Sequence, residues 1–101
     1  MEISSVQVVG RRSVVRVRGE VDLATAPEVA RTLLRLIDDG TELIELDLRD
    51  VTFMSCQGIA VVVAASQLAA LRGQHVRIVQ PSQPTRVVFT LGGVARLLED
   101  A

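Results

Sequence analysis

Asp47-Leu48-Arg49-Asp50-Val51-Thr52-Phe53-Met54-Ser55-Cys56-Gln57-Gly58-Ile59-Ala60 is the stretch on which the fold turns. It reads as the end of a strand, a short loop, and the first turn of an apolar helix continuing to about Leu71. Ser55 stands at the N-cap, where its hydroxyl can accept from a backbone N–H that has no partner within the helix. Cys56, Gln57 and Gly58 then form the first turn, whose free N–H groups and dipole favour negative charge. A small polar side chain in that turn is placed to carry or answer an anion. Gly58 would let a partner's backbone approach closely. Taken alone, these residues describe a capped helix start.

Outward from that stretch the chain alternates strand and helix. Before it, Glu42 to Leu48 sets Ile44, Leu46 and Leu48 against Glu45 and Asp47, the alternation of a half-buried strand. After it, Val61-Val62-Val63 has strand character, but the Ala-rich continuation and the length of the apolar run decide for helix, with Gly73 just beyond its end. His75 to Val79 is a further strand, with Val76 and Ile78 inward and His75 and Arg77 outward. Pro84 opens a third helix that Gly92-Gly93 stops, and Val94 to Leu98 adds a final turn or two.

On the N-terminal side, Val6 to Val9 and Ser13 to Gly19 form a hairpin turned by Gly10-Arg11-Arg12. Glu20-Val21-Asp22-Leu23 is a loop into the first helix. There Thr25-Ala26-Pro27-Glu28 matches a capping box, with Thr25 as N-cap and Pro27 in the first turn. The helix presents Ala30, Leu33, Leu34 and Ile37 as its apolar stripe, and Gly40 ends it. Asp38 and Asp39 sit where the helix dipole disfavours them.

The strands share a one-sided pattern. A sheet covered on both faces would carry continuous apolar runs. Here Arg16, Arg18, Glu45, Asp47, His75 and Arg77 occupy one face throughout. Right-handed crossovers advancing in one direction put successive helices on the same side. The expectation is therefore a single α/β domain over residues 1–101, with a four-stranded mixed sheet and helices packed on one face. The other face should be charged and largely solvated, with cross-strand Arg–carboxylate pairs.

Composition narrows the function. A chain of 101 residues with 49% hydrophobic and 23% charged residues can bury one core unaided. No apolar run is long enough to span a membrane, and the first residues lack the pattern of a signal peptide. The single cysteine, Cys56, permits no intrachain disulfide and suits a reducing cytoplasm. Eleven basic residues, all Arg, against 12 acidic ones give a net charge of −1, with no pull toward nucleic acid or anionic lipid. Phe53 and Phe89 are the only aromatics, so there is no stacking platform for single strands.

No enzyme is indicated. The sequence lacks a Gly-rich phosphate loop, a metal-ligand cluster and any pattern that calls for a cofactor. His75 reads as a surface strand residue, and Asp22 and Asp50 as loop acids without a catalytic partner. Cys56 has two readings: a small side chain tucked under the helix, or a thiol that the helix N-terminus biases toward the nucleophilic thiolate. The second helix is apolar nearly all round, with Ile59, Val62, Val63 and Ser66 on one stripe and Val61, Ala65 and Leu68 on another. On a small sheet with helices on one side, such a helix is hard to bury completely, which favours a binding function.

Several motifs together resemble a STAS domain of the anti-sigma factor antagonist family, over nearly the whole chain. They are Gly19-Glu20-Val21-Asp22-Leu23-Ala24-Thr25-Ala26-Pro27, Leu46-Asp47-Leu48, Val51-Thr52-Phe53-Met54, Gly58-Ile59, and the tail from Pro81 to Val94. The resemblance implies a small bacterial cytoplasmic protein that regulates transcription by binding an anti-sigma factor, often itself a serine kinase-like ATPase. In that family the kinase phosphorylates a serine at the start of the second helix, which blocks the interaction, and a phosphatase reverses it. The family pattern after Phe-Met is Asp-Ser-Ser-Gly or Asp-Ser-Thr-Gly; here the positions read Ser55-Cys56-Gln57-Gly58. Cys56 thus occupies the phospho-acceptor position, Ser55 replaces the acid and is a possible displaced phosphosite, and Asp22 matches a family acid near the same surface.

The resemblance implies a partner-binding surface of Asp22, Met54, Ser55, Cys56, Gln57, Gly58 and Ile59, and a non-enzymatic module with an altered phospho-switch. A monomer or weak homodimer is expected, without nucleic acid or membrane insertion. The alternatives are a STAS scaffold in another signalling or transport assembly, and a thiol-based sensor working through Cys56.

Overall fold

Leu46 and Ile44 lie at the centre of the molecule because the strand that carries them is paired on both sides. In the computed structural model, which describes residues 1–7, 10–91 and 98–99, the chain runs β1 (Glu2–Gln7), β2 (Arg12–Val21), α1 (Ala26–Asp38), β3 (Leu43–Met54), α2 (Cys56–Leu71), β4 (His75–Val79), α3 (Gln83–Leu91) and β5 (Leu98–Glu99). The sheet order is β1-β2-β3-β4-β5. The β1–β2 hairpin is antiparallel, and every other pairing is parallel. The four expected strands are present, and the two-residue β5 extends the sheet beyond β4. The expected stop at Gly92-Gly93 and the turn over 94–97 lie outside the described residues, whereas Leu98 is strand rather than helix.

One hydrophobic core holds the layers together. Val15 and Val17 of β2, Ile44 and Leu46 of β3 and Ile78 of β4 meet Leu33 and Ile37 of α1 and Val62 and Ala69 of α2. Burial of each leucine or isoleucine side chain contributes about 1.5–3 kcal/mol. Phe89 of α3, 0% exposed, closes the core over β3. Helices α1 and α2 pack side by side. Among the described residues no helix is long and apolar enough to cross a membrane.

The strands are longer than their alternation suggests. β2 continues to Val21 and β3 to Met54, so Asp50 is a strand residue opposite Arg18 and not a loop acid. Bulges between Arg16 and Arg18 and between Gly19 and Glu20 shift the register. Past Leu48 the buried positions of β3 are Val51 and Met54. That spacing of three, which a two-residue period cannot produce, hides the strand. β1 occupies Glu2–Gln7 where a strand over Val6 to Val9 was expected; residues 8 and 9 are outside the described ones.

Two local expectations are corrected. Thr25 makes no capping-box bond; its hydroxyl instead donates to the Glu20 carbonyl at 2.8 Å and accepts from the Asp22 N–H at 2.9 Å. The apolar stripe of α1 is Ala26, Val29, Leu33 and Ile37, while Ala30 is half-buried and Leu34 is 45% exposed. The helix is rotated so that Val29, not Leu34, faces the sheet. Asp38, at the unfavourable end of the dipole, is answered by Arg72 at 3.2 Å.

The open face carries the expected cross-strand pairs, Arg12 with Glu45 at 2.7 Å and Arg16 with Asp47 at 3.5 Å. Asp47, however, is only 4% exposed. Its carboxylate lies between Arg16 and Arg49 and accepts from the Arg49 N–H at 3.1 Å. The guanidiniums supply the partners that a buried carboxylate requires.

Candidate functional site

The C-terminal ends of β2 and β3 meet the N-termini of α1 and α2 at one corner of the sheet. Val21 and Met54 are register partners, and the Ser55 N–H donates to the Val21 carbonyl at 2.9 Å, fixing where α2 begins. Ser55 has extended backbone angles, and its hydroxyl accepts from the Gly58 N–H at 3.2 Å. It is the N-cap that the sequence predicts. Cys56 is the first residue of α2 and is exposed, as is Gln57. No acidic residue stands in that first turn, so its dipole is not answered from within it.

Gly58 serves the interior. It is buried, and a Cβ there would collide with Met54 Sδ and lie 2.8 Å from Val21 Cγ1. The close approach that demands glycine is therefore made by β2 and β3, not by a partner. Met54 is itself 3% exposed. Of the predicted binding residues, Met54 and Gly58 are buried beneath this corner, Ser55 and Ile59 are half-buried, and Cys56 and Gln57 are exposed.

Asp22 builds the adjoining turn. Its Oδ1 accepts from the N–H of Ala24 and of Thr25, both at 3.0 Å, and from the Thr25 hydroxyl at 3.1 Å. Its backbone carbonyl receives the Ala26 N–H at 2.8 Å. The bonds from Thr25, backbone first and side chain second, hold the carboxyl below the ordinary aspartate range. Asp22 thus orders the turn that leads into α1, in the manner of an Asx turn.

Two further residues belong to this corner: Leu23 is 72% exposed and Phe53 49% exposed. Phe53 is the register partner of Glu20, whose carbonyl the Thr25 hydroxyl ties to the Leu23 turn. The sequence carried a signal for Phe53 only with the correct strand length, since it lies on β3 and not in a loop. Cys56 and His75 are kept apart. His75 pairs with Leu43 at the start of β3, whereas Cys56 follows the end of that 12-residue strand. A Cys–His dyad is not formed.

A mixed sheet with helices on one face and a capped helix leaving its central strand is the STAS architecture. The chain belongs to the STAS domain family, whose model matches residues 4–99. It is similar to the anti-sigma-B factor antagonist of Bacillus subtilis (strain 168), at 25% identity over 85 residues, which span 84% of this chain and 77% of that protein. The fold matches the unphosphorylated anti-sigma factor antagonist SpoIIAA with a TM-score of 0.85 at 20% identity, covering 99% of this chain and 88% of that one. An anti-sigma factor antagonist from Mycobacterium paratuberculosis matches with a TM-score of 0.83 at 23% identity, covering 98% of this chain and 85% of that one.

Proposed function

We propose that this chain is a binding module of the anti-sigma factor antagonist type, which engages a serine kinase-like anti-sigma ATPase through the β2–β3 corner and has lost the phosphoryl switch there. The reading rests on Cys56, exposed at the head of α2, in the position where the family pattern has its acceptor serine. A thiol offers a serine kinase no hydroxyl. The neighbouring hydroxyl, Ser55 Oγ, is engaged by the Gly58 N–H. Leu23, Phe53 and Gln57 provide exposed contact area around the thiol, and Asp22 orders the turn beside it. Binding is then constitutive, and such a partner implies action in the cytoplasm.

The test mixes the purified protein with the serine kinase-like anti-sigma ATPase of its host and Mg-ATP, then reads binding by calorimetry and modification by intact mass. A complex with no added phosphate is expected. Stoichiometric phosphate on Ser55 would mean that the switch had moved by one residue. Failure to bind such an ATPase at all would leave the chain a scaffold of another signalling or transport assembly.

A further inference from the structure

α2 carries no charged residue over its 16 residues. The sheet and α1 cover only part of it: Cys56, Ala60, Ala64, Gln67 and Leu71, three or four residues apart, stay exposed along one side of the helix. Between that side and α1 runs a groove of about 360 Å³, walled by Ala30 and Leu34 on α1 and by Ala60, Ala64 and Leu68 on α2. Every residue that lines it is alanine, valine or leucine. β2, β3 and β4 are parallel, so the helices that connect them run in one direction. At their C-terminal ends the Arg72–Asp38 pair, at 3.2 Å, bridges the two helices. Among the described residues no ion pair bridges their N-terminal ends, and Ala60 stands one turn from Cys56. The groove is therefore continuous with the corner that Cys56 heads.

Granted the binding at that corner proposed above, we infer that the groove takes an apolar-faced helix of the same serine kinase-like anti-sigma ATPase. The walls are helix flanks, whose backbone groups are already paired, so an extended segment finds no ladder there. A helix meets them through side chains alone. From Ala60 to Leu68 the groove spans roughly 12 Å, about two turns of the added helix. Ala60 and Ala64 let its axis come to the close end of the usual range, about 8 Å. Its contacting face must be uncharged, because a charge desolvated against these walls would have no partner.

A second copy is the poorer occupant. Arg31 and Arg35 are exposed on α1 and make no ion pair among the described residues. Two-fold packing of this face on itself sets them either against the same arginines or over the uncharged α2 of the copy.

Calorimetric titration of the whole chain with the serine kinase-like anti-sigma ATPase of its host tests this. Ala64→Glu and Leu34→Glu, on opposite walls of the groove, should each weaken binding about tenfold or more. Ala70→Glu, exposed on α2 but outside the groove, should bind as wild type does. All three positions are exposed, and thermal melting checks that each variant is folded. Loss of binding in Cys56→Asp with wild-type affinity in both groove variants would overturn the helix in the groove and leave the corner as the contact. No binding by the wild-type chain would overturn both. An equal loss in Ala70→Glu would also overturn it, as would a dimer of the free chain that Ala64→Glu dissolves, which would assign the groove to a second copy.

Discussion

Val21 and Gly58 meet so closely that a methyl group on the glycine would lie 2.8 Å from Val21 Cγ1. Val21 is β-branched and 1% exposed, so it has little room to yield. Gly58→Ala should therefore destabilise the protein by about 1–3 kcal/mol through overpacking, despite the better helix propensity of alanine. Urea unfolding monitored by circular dichroism checks this. An unchanged or raised midpoint would mean that α2 can shift off the sheet without loss.

Ser55 carries a cap whose value can be isolated. Ser55→Ala removes the acceptor for the Gly58 N–H and should cost about 1 kcal/mol, whereas Ser55→Asp retains a capping oxygen and should stay within a few tenths of wild type. Equal losses in the two variants would assign the cost to something other than the cap.

Asp22 predicts a signature in acid. Its folded carboxyl titrates below the ordinary range, so the unfolded chain takes up the proton first as pH falls. The stabilisation is complete above the ordinary aspartate value of about 3.9 and disappears as pH drops through the lower folded value. Asp22→Asn should accordingly be less stable than wild type at neutral pH and converge on it in acid. Urea midpoints from about pH 5 to about pH 2 test this, and parallel curves would contradict it.

These three residues also mark how far the sequence could be read. Ser55 was legible because N-capping is local: one side chain, one N–H, three residues apart. The Thr25 capping box does not form because the Thr25 hydroxyl is engaged by the Glu20 carbonyl and the Asp22 N–H, and the Thr25 N–H goes to the Asp22 carboxylate. Leu34 was placed in the core by spacing alone. Val29 fits a helical stripe equally well, and only the sheet's contact with α1 selects between them. The strand past Leu48 escaped notice for a comparable reason, since its bulges answer to the pairing with β2 and break the two-residue period of β3. Leu23 and Phe53 then went unassigned, because exposure of a large apolar side chain depends on where its strand ends.

Gln74 is a non-local cap that no window of sequence contains. Its Nε2 donates to the Ile37 carbonyl at 3.0 Å and to the Thr41 carbonyl at 2.9 Å, joining the end of α1 to the start of β4. Gln74→Leu leaves both carbonyls without this donor and should cost about 2 kcal/mol. A loss measured by urea unfolding that is no larger than a surface substitution's few tenths would show that the two carbonyls find other donors.

Cys56 separates modification from binding. Cys56→Ser restores a hydroxyl at the head of α2 and should allow phosphorylation by a cognate serine kinase. Cys56→Asp should weaken partner binding by about tenfold or more, by desolvating a carboxylate in the contact surface. Wild-type affinity in Cys56→Asp, measured by calorimetry, would put the contact surface elsewhere.

The pairing pattern of the sheet bears on how the chain reaches its native state. Only the β1–β2 hairpin joins neighbours by a short turn; β2–β3 and β3–β4 become partners only after an intervening helix has brought the chain back. Local hairpins close in about 1–10 μs, while parallel pairs must first meet the entropy of loop closure. The early hairpin therefore waits with β2 unpaired on its inner side until β3 arrives. During that interval β2 exposes Val15 and Val17 beside an open ladder, and this is when the nascent chain is most open to pairing with a neighbour. A slow step in refolding, and concentration-dependent loss of yield, would arise there and not in the helices.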